Sequence, residues 1–175
     1  MKKAKPWIKV LGFIAGLAVI LMVCDFVFAQ TGYVRFIIHE EKKGGYDTIV
    51  VGASHCRGAI DPQRLDDKLG TNTLNLAIPG ESVQDSYFLI KDAAKNNDIK
   101  TIIFDLDYQY WYYEQPTTHF TKSFIYQQFT DPMVKLEYMA RNFDVLDMRN
   151  VLVNRLSWNM SVSGVKRNVS MKTSD

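Results

Sequence analysis

Tyr46-Asp47-Thr48-Ile49-Val50-Val51-Gly52-Ala53-Ser54-His55-Cys56-Arg57 is the stretch on which the fold turns. Its first six residues form a short β-rich run that Gly52 closes, the pattern of a buried parallel strand. Downstream, Asp61 and Pro62 predict the cap and first turn of a short helix to Leu69. Thr73 to Ile78 reads as a second strand, and Pro79-Gly80 as a turn. Ser82 caps a predicted helix from Val83 to about Asn96, with Asp85 completing a capping box. Lys100 to Leu106 reads as a third strand. Strand, helix, strand, helix, strand is an α/β signature, a parallel sheet with helical cover. Open sheets usually carry more than three strands, so the sequence predicts an incomplete sheet from the N-terminal part of a longer protein.

Beyond Asp107 the character changes. Tyr108-Gln109-Tyr110-Trp111-Tyr112-Tyr113 is aromatic and polar-edged, and Thr117 to Thr130 holds further aromatics in a polar setting. Asp131-Pro132 opens a predicted helix to about Asn142, and Asp144 another to about Leu156. Ser157 to Asp175 has little pattern. It contains Asn159-Met160-Ser161 and Asn168-Val169-Ser170, which fit the short glycosylation acceptor pattern.

Upstream, Lys2, Lys3, Lys5 and Lys9 precede an apolar run from Val10 to Cys24; Asp25 interrupts it and Phe26 to Ala29 resume. A positive start before an apolar stretch is the pattern of an export signal. Ile8 to Ala29 is long enough to cross a hydrocarbon layer of roughly 30 Å as a helix. Lys9 then snorkels at the inner edge, and Asp25 lies near the outer interface. A signal anchor and a signal peptide cleaved near Ala29 both fit; the length of the run favours the anchor. The expected organisation is residues 1–29 as anchor or signal, 30–45 as a connector, 46–156 as an α/β domain and 157–175 as a poorly structured tail.

The anchor holds 4 of the 21 basic residues and 1 of the 19 acidic ones, leaving 17 basic against 18 acidic in the remainder. The alkaline balance therefore belongs to the targeting segment and gives no argument for nucleic acid. Cys24 and Cys56 are poorly placed to pair with each other. His39, His55 and His119 are scattered, and no Cys/His cluster has metal-site spacing. The expectation is no cofactor and no metal.

Ser54 follows the first strand, where ligand sites of open α/β sheets lie. It is either a nucleophile with a backbone N–H for an oxyanion or a serine that caps the next turn. His55, adjacent to it, is poorly directed to act as its base, and Cys56 fits a small buried residue. After the second strand come Asn75, Pro79 and Gly80; the Gly80 N–H is either a second oxyanion donor or part of a plain turn. Asp105 and Asp107 point to one side of the third strand end.

Tyr46–Arg57, Asp61-Pro62, Asn75 to Gly80 and the strand ending at Asp107 together resemble the SGNH/GDSL-type hydrolase and acyltransferase superfamily. The resemblance covers residues 46 to 107 and is closest to its membrane-anchored, extracytoplasmic branch, with the teichoic-acid D-alanylation and polysaccharide O-acetylation proteins of bacteria. It implies a three-layer, flavodoxin-like parallel sheet. It implies Ser54 as nucleophile and Gly80 as oxyanion N–H donor. The third block of the family supplies an asparagine donor; this chain has Asp105-Leu106-Asp107, leaving Asp107 as a weak candidate, since an ionised carboxylate only accepts. The family's late Asp-x-x-His unit is absent, and Pro116 stands three residues before His119.

The function so implied is serine-dependent O-acyl transfer or ester hydrolysis on a cell-surface glycan or glycopolymer, at the outer side of a bacterial cytoplasmic membrane. The partners implied are the lipid bilayer, the glycan and a membrane acyl-transfer protein, with no nucleic acid. The alternative is a non-catalytic, membrane-anchored binding module of envelope polysaccharide assembly. Its contact surface is then the segment from Pro132 to Leu156 and the aromatic loops.

Overall fold

The computed structural model describes residues 6–28, 32–106, 110, 118–153, 158 and 160–173. The chain divides into two compact units, Met1–Gly32 with Val151–Asp175, and Tyr33–Asn150.

The first unit is built on helix α1 (Pro6–Phe28), in which no residue is buried. Trp7, Phe13, Ile20 and Met22 are among its exposed apolar side chains. It is long and apolar enough to cross a membrane. The tail expected to lack structure instead contains a helix from Val162 to Thr173. Valine, serine and asparagine are indifferent helix formers, and tertiary bonds to α1 offset that. Asn168 Nδ2 donates to Phe28 O at 3.1 Å, and Lys172 Nζ to Phe26 O at 2.7 Å. These are the end carbonyls that a helix cannot satisfy internally. Trp158 Nε1 donates to Asp25 Oδ1 at 2.8 Å, so the acid that interrupts the apolar run has a partner. The Asn168 amide, an acceptor-pattern asparagine, is buried in this contact.

In the second unit the expected connector is helix α2 (Gly32–Lys43), which buries Val34, Ile37 and Glu41. The spacing of three and four puts them on one face. Three parallel strands follow: β1 (Thr48–Val51), β2 (Thr73–Asn75) and β3 (Thr101–Phe104), in the order β2-β1-β3. Thr48 pairs with Thr73 on one side and Thr101 on the other. β1 is buried along its length, as a central strand must be. Ile49 and Val51 enter a core with Leu74, Phe88, Ile125 and Tyr138, while Val50 packs with Cys56 and Ala77 on the opposite face.

β2 is shorter than its apolar run. Asn75 Nδ2 donates to Ile60 O at 3.2 Å and its Oδ1 accepts from Ala77 N–H at 3.0 Å, which ends regular pairing. The chain still leans on β1 through Leu76 N–H to Val50 O and Ile78 N–H to Gly52 O.

Between β1 and β2 lie α3 (Ser54–Ala59) and α4 (Pro62–Leu69). Asp61 caps α4 by accepting from Gln63 N–H, and Gly70 ends it with φ +68°. Helix α5 (Val83–Asn96) has the expected capping box of Ser82 and Asp85. Helix α6 (His119–Gln128) lies where the sequence predicted no element; Thr118 caps it. Helix α7 (Pro132–Asn142) is capped by Asp131, which accepts from Met133 and Val134 N–H. Helix α8 (Val145–Val153) follows, and the helix in the tail is α9 (Val162–Thr173).

Candidate functional site

Gly52 directly follows the last residue of β1 and has φ +148°. A Cβ there would lie 2.7 Å from Asp105 Cβ and 3.1 Å from Cys56 Cβ. Only glycine admits this close approach, so the end of β1 is pressed against the end of β3. Two residues on, Ser54 begins α3 and is exposed. The cap of that helix is Ala53, which makes no side-chain capping bond. Ser54 therefore sits at the strand end without serving as the cap.

Gly80 follows β2 and is exposed, with φ +76°. Glu81 N–H donates to Ile78 O at 3.0 Å, which makes Ile78-Pro79-Gly80-Glu81 a type II turn, proline second and glycine third. That closing bond does not use the Gly80 N–H. A Cβ on Gly80 would meet Thr121 Oγ1 at 3.4 Å, so the first turn of α6 lies beside this turn.

Other residues singled out by sequence have plainer places. Cys56 is buried, and its Sγ contacts Val51 O at 3.7 Å. Burial, then Asp105 and Glu81, push its thiol up to about 11, so it stays protonated and unreactive at neutral pH. Asn75, the last residue of β2, is engaged by Ile60 O and the Ala77 N–H and so holds the loop that follows. Asp105 is half-buried and its backbone N–H donates to Val51 O. Asp107 lies outside the described residues, as do all of the 108–113 cluster except Tyr110. His55 is exposed on α3. Arg57, one turn after Ser54, lies 4.0 Å over the ring of Tyr33. Tyr33 stacks in turn on Phe124, and Phe124 on Phe120. The Tyr33 hydroxyl is held above its ordinary range by burial, which outweighs the nearby Arg57 charge.

Sequence spacing missed one constellation. His119 Nδ1 lies 2.5 Å from Asp147 Oδ1. Asp147 is 1 % exposed, and its Oδ2 accepts from Lys122 Nζ at 3.2 Å and Asp144 N–H at 3.1 Å. Burial raises the carboxyl, but the Asp144 N–H, His119 and Lys122 outweigh it and hold it below the usual range. His119 is half-exposed, so its ring is oriented by a buried carboxylate while remaining open to solvent. The aspartate comes from a different helix, not from three residues upstream. The sequence signal was Asp144 with Asp147, a box-like spacing at a helix start.

His119, Asp144 and Asp147 also bring three metal-type ligand atoms within 4.8 Å of one another. Both Asp147 oxygens are already engaged, one of them by the Lys122 ammonium. A cation at this point meets that positive charge, so the residues present fit a hydrogen-bonded knot better than a metal centre.

Among the described residues no hydrogen bond joins Ser54 to His119. What the described residues offer is an exposed hydroxyl at the end of the central strand, a turn at the end of its neighbour whose Gly80 N–H is not used by the closing bond, and an oriented imidazole whose helix starts beside that turn. No protein-family model, curated protein or solved structure matches the chain.

Proposed function

We propose that the chain is a membrane-anchored, extracytoplasmic SGNH-like domain with a flavodoxin-like sheet, which transfers or hydrolyses an O-linked acyl group on a cell-surface glycan or glycopolymer. The observation that carries this is Ser54: exposed, not a cap, and placed directly after the central parallel strand behind a positive-φ glycine. Strand order reverses around β1, the position where open α/β sheets place their ligands. Helix α1 supplies the anchor, with bulk and site on the outer side of a bacterial cytoplasmic membrane.

In this reading Ser54 Oγ attacks the acyl carbon and gives its proton to a base. The negative charge moves to the former carbonyl oxygen, where the Ser54 and Gly80 N–H groups receive it. Collapse expels the sugar oxygen, which takes the proton, and leaves an acyl-serine. Water or a second sugar hydroxyl then attacks that ester. His119, oriented through Nδ1 by Asp147, is the base we assign; its Nε2 is the nitrogen left for proton transfer.

The missing Ser54–His119 bond favours the second reading, a non-catalytic envelope-assembly module. Incubating the full chain in detergent with an activated aryl ester separates the two. An acyl adduct on the Ser54 peptide, absent from Ser54→Ala, supports the enzyme; no adduct at any acyl length supports the module.

A further inference from the structure

The two turns carrying the assigned N–H donors are joined by one side chain. Glu81 is 2 % exposed. Its Oε2 accepts from Ile78 N–H at 2.9 Å, and the Gly52 N–H also hydrogen-bonds this carboxyl. Its Oε1 pairs with Ser86 Oγ, which itself reaches Ser82 O at 3.2 Å. Ile78 opens the turn that holds Gly80, and Gly52 lies two residues before Ser54. Ile78 N–H and Gly52 O are themselves bonded at 3.1 Å. Glu81 thus folds back over its own turn, ties it to the end of β1, and anchors both to the first turn of α5.

We propose that Glu81 is a positioning residue that locks the Gly52–Ser54 segment against the Ile78–Gly80 turn and so fixes the separation of the Ser54 and Gly80 N–H groups. The inference rests on the proposed function for what those two N–H groups do; the lock itself does not.

The hydrogen-bond inventory accommodates a proton. A protonated Oε1 donates to Ser86 Oγ, whose own hydrogen goes to Ser82 O, while Oε2 still accepts from Ile78 and Gly52. Burial pushes this carboxyl up to about 8 despite bonds from Ser86 and Ile78, with Asp85 adding to the rise. The ionisable groups facing it are Asp85 from α5, Tyr33 from α2, Cys56 from α3 and Tyr138 from α7. Arg57 lies against the far partner of this group, the Tyr33 ring. Deprotonation above neutrality places a charge among acids and phenols, and both tethered amides sense it.

The test uses the full chain in detergent micelles, as wild type, Glu81→Ala and Glu81→Gln. The amide shifts of Gly52 and Ile78 titrate together in the wild type with a midpoint near 8, and Glu81→Gln abolishes that step. Glu81→Ala speeds hydrogen exchange in both segments about tenfold or more. It slows labelling of Ser54 by a fluorophosphonate probe by a similar factor, and Glu81→Gln restores both. Wild-type exchange in either segment of Glu81→Ala overturns the lock, and unchanged labelling overturns its positioning role. Should Glu81→Ala not fold, a Gly52 or Ile78 amide that exchanges in the wild type as fast as an exposed one overturns the lock, since both are held by the Glu81 carboxyl. A wild-type chain that the probe never labels overturns the Ser54 reading instead, and the exchange data still decide the lock.

Discussion

His119 Nδ1 and Asp147 Oδ1 meet at 2.5 Å although 28 positions separate them in sequence. The contact joins the start of α6 to the start of α8, and Lys122 extends it to the end of α7 by donating to Asn142 O at 2.8 Å. Removing the buried carboxylate leaves the part-buried Lys122 ammonium and the Asp144 N–H one acceptor short. Asp147→Ala is expected to destabilise the chain by about 2–4 kcal/mol. Asp147→Asn, which keeps one acceptor oxygen, costs less. Thermal unfolding of both in detergent, followed by helical circular dichroism, checks the order.

Gly52 is a second point of sensitivity. Its positive φ and the 2.7 Å approach to Asp105 Cβ leave no room for a methyl group. Gly52→Ala is expected to lose about 2 kcal/mol or more, since backbone must shift. Gly80→Ala has the left-handed backbone cost alone, about 1–2 kcal/mol, because its neighbour Thr121 stands at ordinary contact distance. Unequal shifts in melting temperature are the readout, Gly52→Ala the larger.

The strands, the Asp61-Pro62 helix start and the Ser82–Asp85 capping box were legible because each is written in residues a few positions apart. Helix α6 was not. Its aromatics, Phe120, Phe124 and Tyr126, obscure a 3.6-residue pattern, although Thr118 with Thr121 is a local cap signal that was there to be found. Helix α9 depends on the end carbonyls of α1, which are far away in sequence. The same limit hid the base candidate: a search for an aspartate three residues before a histidine cannot see one that arrives on another helix. Ser54 and Gly80 were legible as strand-end residues, whereas Glu81, between two well-marked features, looked like an ordinary turn acid.

Glu41 gives a pH prediction. It is 1 % exposed and hydrogen-bonds Asp92, which accepts from Thr130 N–H at 2.6 Å and Asp131 N–H at 2.9 Å. Burial, then the charge and bond of Asp92, push Glu41 from its ordinary 4.5 up to about 9. The folded chain therefore keeps a proton that the unfolded chain releases. The stability this gives is fully present below pH 4.5 and lost as pH rises through about 9. Glu41→Gln is expected to flatten the fall of melting temperature over that window.

Tyr138 is fully buried, and its hydroxyl donates to Asp85 Oδ1 at 2.6 Å. Tyr138→Phe preserves the packing against Phe88 and Phe129 while leaving a buried carboxylate oxygen one donor short. A loss of about 1–2 kcal/mol is expected in denaturant titration.

In the proposed function Ser54 is an activated nucleophile, and covalent labelling is the test of it. The full-length chain is treated with a fluorophosphonate probe, and the labelled peptide is identified by mass. The expected result is an adduct on Ser54 that Ser54→Ala abolishes and His119→Ala slows by about two orders of magnitude or more. Equal labelling of wild type and Ser54→Ala, or none of the wild type by a probe that labels a serine esterase control, would contradict it.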